Sequence, residues 1–97
     1  MINPTKEELE LSFNLAKAVI NGCDDEGVVK LSKKFNEVSH GFTNGQVDLA
    51  IARFMGMKFS CYPDPTINLL VFMLLAQWML EASIKTIQQE SENATKN

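Results

Sequence analysis

One stretch, Ile67 to Leu80 (INLLVFMLLAQWML), constrains this chain more than any other, because only Asn68 and Gln77 in it are polar. Asp64-Pro65 just ahead of it is a helix start, an N-cap residue followed by proline at the first helical position. At about 100° per residue, Asn68 and Gln77 fall on opposite sides of such a helix and separate two apolar faces. One face carries Ile67, Leu70, Val71, Leu74 and Trp78. The other carries Leu69, Met73, Ala76 and Leu80, and continues through Ile84 and Ile87. A surface helix has one apolar stripe; a helix apolar on two sides has to be covered on two sides.

Length sharpens the problem. The spacing predicts a helix from Pro65 to about Gln89, and about 25 residues at roughly 1.5 Å each span about 37 Å. A compact chain of 97 residues has a radius of gyration of about 12.5 Å, hence a diameter of about 32 Å. Three shorter helices can cover one face of this rod, but covering both is harder. The helix is therefore a central core helix wrapped by the others, a helix shared between a core and a symmetric subunit interface, a membrane segment, or a groove for a different protein. A membrane span needs about 20 apolar residues. Here Asn68, Gln77, Glu81 and Ser83 interrupt the stretch, and no Lys or Arg flanks its start. The residues expected at an interface are Leu70, Met73, Leu74, Trp78, Leu80 and Ile84. Trp78 is the natural anchor, since buried Trp is enriched among the residues that carry binding energy; its plainer reading is a core tryptophan.

The rest of the chain also reads as helix. Thr5 and Glu8 form a capping box, and apolar residues recur at Leu9, Phe13, Ala16 and Ile20, with Leu11 and Leu15 widening the stripe. Asn21-Gly22 ends this first helix. Asp24 and Asp25 are N-cap candidates for a second, whose Val28, Leu31, Phe35 and Val38 share a face and which Gly41 closes. Thr43 and Gln46 form another capping box. The third helix carries Val47, Ala50, Ile51 and Phe54 on one face and stops at Gly56, with Met57–Tyr62 running extended but finding no partner strand. The expectation is an all-α fold: a compact bundle of about four helices with a long apolar C-terminal helix. It comprises one domain over residues 1–89 and a flexible polar tail over 90–97.

Composition narrows the function. Hydrophobic residues make up 45% of the chain, the net charge is −3, and there are two cysteines and one histidine. An acidic balance argues against a nucleic-acid backbone or an anionic membrane as the main partner, because both need a basic footprint. Cys23, Cys61 and His40 together fall short of the roughly four ligands of a structural zinc site. Both cysteines read as small buried hydrophobes, and a start without a signal peptide reads as cytoplasmic with reduced thiols. No nucleophile has a base and an orienting third group marked beside it, and His40 reads as a helix C-terminal residue. No Gly-rich phosphate loop or HExxH motif is present. The expectation is a chain with no catalytic, metal or cofactor-binding residues, hence not an enzyme.

Two alternatives come from the same residues. Residues 28–55 can be read as a helix-turn-helix, with Lys30, Lys33, Lys34 and Arg53 as nucleic-acid contacts, although three lysines on a helix are more often a solvated face. A small-ligand or nucleotide-binding oligomer with its pocket between subunits is the other. Finally, VDLAIARFMGMK followed by YPDPTINLLVFM, over residues 47–73, resembles small accessory proteins of tailed bacteriophages. Ala50, Ala52, Met55 and Gly56 carry the first part of the likeness and Tyr62, Pro63 and Asp64 the second. The spacer is shorter than in those families, and the last helix is more apolar. The resemblance implies a phage or prophage origin and a protein that inhibits or adapts a host protein; it implies no site. The leading expectation is a small, non-enzymatic protein-interaction module, a homo-oligomer that binds a host or partner protein.

Overall fold

Four helix starts are written into the chain, and four helices form. The computed structural model describes residues 2–95. Helix α1 spans Lys6–Gly22, α2 Asp25–Ser39, α3 Asn44–Ser60 and α4 Pro65–Thr95, and among the described residues there is no strand. The Thr5 hydroxyl accepts from the Glu8 amide at 3.1 Å while the Glu8 carboxylate accepts from the Thr5 amide at 3.0 Å. Thr43 and Gln46 repeat the arrangement at the start of α3 at the same distances. Asp24 caps α2, its carboxylate accepting from the Glu26 and Gly27 amides. Each cap satisfies amides that the first turn leaves without partners. At the start of α4, the Asp64 carbonyl accepts from both the backbone and the side chain of Asn68, at 3.1 and 2.9 Å.

The main helix contacts among the described residues are those of α1 and α3 on α4. On α1, Ser12 and Ala16 are fully buried. These two small residues lie one turn apart on one side of α1, whose main packing partner is α4. The Ser12 hydroxyl is satisfied within its own helix, donating to the Glu8 carbonyl at 2.7 Å. Beside them the Phe13 ring meets Trp78 edge-on, with centroids 5.6 Å apart. The Lys17 ammonium lies 4.7 Å from the centroid of the Phe13 ring, within reach of a cation–π attraction. On the other side, Phe59 of α3 packs against Phe72, centroids 5.9 Å apart.

Several sequence expectations change. Met57–Tyr62 is not extended: α3 runs through Gly56 to Ser60. No left-handed turn occurs at Gly56; the one glycine with positive φ among the described residues is Gly41, at 88°. Of the expected face of α3, Val47 is half-buried and Ile51 lines the groove against α4, whereas Ala50 and Phe54 are exposed and Met55 and Phe59 take their place. Apolar residues surround α3, so their spacing selects the face only in part. Helix α4 continues past Gln89 to Thr95, because nothing in QQESENAT breaks a helix. The last two positions of the expected tail lie outside the described residues.

Compactness is modest. The radius of gyration is 16.3 Å and the longest extent 52 Å. The 31 residues of α4 account for about 46 Å of that extent at about 1.5 Å per residue. Helix α2 has no helix packed along it, and no residue in it is buried.

Candidate interaction surface

The two apolar faces of α4 have different fates. Ile67 and Leu70 are buried, and Val71, Leu74 and Trp78 on the same side are half-buried. This is the side that Phe13 of α1 closes. The opposite side carries Leu69, Phe72 and Met73, which with Ile51, Met55 and Phe59 of α3 line a shallow apolar groove of about 540 Å³. Cover ends there. From Met79 to Thr95 every residue of α4 is exposed, including Leu80 at 61%, Ile84 at 45% and Ile87 at 65%.

These positions sort the expected interface residues. Leu70 is buried in the core of the chain. Leu74 and Trp78 are half-buried. Met73, Leu80 and Ile84 are exposed apolar side chains. Ser12 is the residue that sequence reading missed. It completes the α1 face, but a hydroxyl does not register as apolar; its spacing of four from Ala16 was the available signal.

A second uncovered surface lies on α2. Val28, Leu31, Phe35 and Val38 share its apolar face as expected, and all four are exposed, Phe35 at 62% and Val38 at 73%. Lys30, Lys33 and Lys34 lie away from that stripe and are exposed, as is Arg53 on α3. The α2 lysines are matched in number by Asp25, Glu26 and Glu37 on the same helix. No extensive packing joins α2 to α3 among the described residues. Cys23 and Cys61 are free and exposed, not buried as expected, because both sit just past a helix end. His40 is the residue that follows α2, its amide donating to the Glu37 carbonyl at 3.3 Å. No group of three or more His, Cys, Asp or Glu among the described residues is placed to hold a metal ion.

The surplus of total exposed surface has a measurable size. A folded monomer of 10.9 kDa exposes about 5,600 Å² by the size scaling of globular proteins. This chain exposes 8320 Å². The excess is about 2,700 Å² per chain, where a stable protein–protein interface takes about 800 Å² from each partner. Helix α4 is also long and apolar enough to cross a membrane, with a mean hydropathy of 1.7 over its most apolar window, little of which is buried.

No family model, curated protein or solved structure matches this chain. The surface itself therefore carries the functional reading.

Proposed function

We propose that this chain is a small, non-enzymatic protein-interaction module that self-associates and acts by binding another protein. The excess of about 2,700 Å² over a folded monomer carries the reading. Exposed large apolar side chains stand on all four helices, among them Leu31 and Phe35 on α2 and Leu80, Ile84 and Ile87 on the far half of α4. Leaving Leu31, Phe35, Leu80, Ile84 and Ile87 in water forfeits roughly 1.5–3 kcal/mol per fully buried side chain. An interface of the obligate class, which runs to 2,000–5,000 Å² or somewhat more in total, removes that deficit. Covering by protein also agrees with the charge. The net −3 gives no basic footprint for phosphates, and the exposed half of α4 carries Glu81, Lys85, Glu90 and Glu92, which a lipid interior excludes.

The likeness of residues 47–73 to accessory proteins of tailed phages gives the proposal a direction: an inhibitor or adaptor of a host protein, working in the cytoplasm. Two free, exposed thiols agree with a reducing compartment. Size-exclusion chromatography with light scattering, without detergent, tests the core of the reading. The expected mass is that of a dimer or a higher oligomer. A monomer that stays folded and soluble at micromolar concentration overturns self-association.

A further inference from the structure

We propose that residues 77–94 of α4 form a parallel, two-stranded coiled coil with the same segment of a second copy of this chain. The proposal rests on the self-association argued above and names the segment, the occupant and the orientation.

The first observation is the exposed stretch of helix. From Met79 to Thr95 every residue of α4 is exposed, over about 25 Å of helix. Isolated helices of this length are marginal in water, and most helical stability comes from covering an apolar face. The second observation is the stripe along it. Gln77, Leu80, Ile84, Ile87, Ser91 and Ala94 recur at alternating intervals of three and four, the seam of a coiled coil. Leu80, Ile87 and Ala94 then occupy d positions, and Gln77, Ile84 and Ser91 occupy a positions. The outward positions from Lys85 on carry Lys85, Thr86, Gln89, Glu92 and Asn93, while those of the first heptad carry Trp78, Met79 and Ala82, so α4 is amphipathic from Ile84 onward. The seam cannot extend backward. Leu70, two positions earlier in the pattern, is already core, and Met73 lies in the groove against α3.

Orientation follows from which side chains would meet. In a parallel pair each seam residue faces its own copy: Leu80 on Leu80, Ile84 on Ile84, Ile87 on Ile87, and Gln77 on Gln77. The two amides can hydrogen-bond to each other. Gln77 Nε2 already donates to Glu81 at 3.2 Å, which leaves its second N–H and its carbonyl oxygen for the copy. In the antiparallel pairing with greatest overlap, Gln77 faces Ala94 and Leu80 faces Ser91. That buries an amide without a partner and wastes a leucine. A polar a residue also fixes register. A parallel pair further sets both α1–α3 bodies at one end of the coil, where the exposed faces of α2 can add area that a seam this short lacks.

The test uses the full chain with Cys23→Ser and Cys61→Ser, and adds Ala94→Cys. In the parallel pair the two introduced thiols lie within disulfide reach. Oxidation of the dilute protein is expected to give a covalent dimer, where an antiparallel pair gives none. Ile84→Lys is expected to weaken self-association at least a hundredfold while circular dichroism stays helical. The outward Lys85→Ala is expected to leave the mass unchanged. If the unaltered chain is dimeric and Ile84→Lys remains so, or Ala94→Cys fails to cross-link, the coiled coil falls and self-association through another surface stands. A monomeric unaltered chain overturns both. So does a chain that is monomeric in buffer and floats with phosphatidylglycerol vesicles, in favour of a lipid surface.

Discussion

At the scale of single residues, the packing of α1 depends on two small side chains. Ser12 and Ala16 have no exposed surface, so there is no room to grow. Ala16→Leu is expected to destabilise the fold by about 1–3 kcal/mol, the usual cost of overpacking a filled site, read as a lower denaturant midpoint. Ser12→Ala is expected to change stability by less than about 1 kcal/mol, because the hydroxyl bonds only within its own helix. Trp78→Ala removes the edge contact with Phe13 and is expected to cost about 2–4 kcal/mol, less than a fully buried aromatic because the indole is half-exposed; the melting temperature reports it. The glycines divide by conformation. Gly56 sits inside α3 with nothing within 4 Å of where a Cβ would stand, so Gly56→Ala is expected to stabilise by about 0.5–1 kcal/mol. Gly41 has φ at 88°, and Gly41→Ala is expected to destabilise by about 1 kcal/mol.

At the scale of elements, local signals and long-range packing were legible to different degrees. The starts at Thr5, Asp24, Thr43 and Pro65 each depend on residues within four positions, and each forms a helix. The helix ends were harder to read. Gly41 is needed for a left-handed turn, whereas Gly56 is tolerated inside a helix, and sequence spacing does not separate these uses. The face of α3 was legible only in part, at Val47 and Ile51 but not at Ala50 and Phe54, because apolar residues surround it and α4 decides which of them are covered. The two apolar faces of α4 were legible from Asn68 and Gln77 alone. Which stretches of them the chain covers was not, because that depends on where α1 and α3 end along it. Thr43→Ala is expected to cost about 1 kcal/mol and to act on α3 alone, which hydrogen exchange along the chain can resolve from α1.

At the scale of the whole molecule, the candidate surface was legible as a surplus and not as a place. The two apolar faces of the long rod showed that covering both would be hard for three shorter helices. The set of interface residues mixed core positions such as Leu70 with free ones such as Leu80, because both belong to one continuous apolar run. Helix α2 sharpens the same point. Its stripe of Val28, Leu31, Phe35 and Val38 is regular, yet nothing in the chain packs on it. Phe35→Lys is expected to leave the melting of a dilute sample unchanged. At high concentration the same change is expected to lower the melting temperature, if α2 adds to the shared surface.

Under the proposed self-association, the uncovered surface also ties folding to abundance. A chain that borrows its cover from another chain obeys mass action, so its melting temperature rises with concentration. Below a threshold of synthesis, copies meet too rarely to protect Leu80, Ile84 and Phe35, and the exposed helices become substrates for proteases. Above it, each new copy stabilises those already present. Dosage thus becomes a switch: the steady-state level responds to expression more steeply than in proportion.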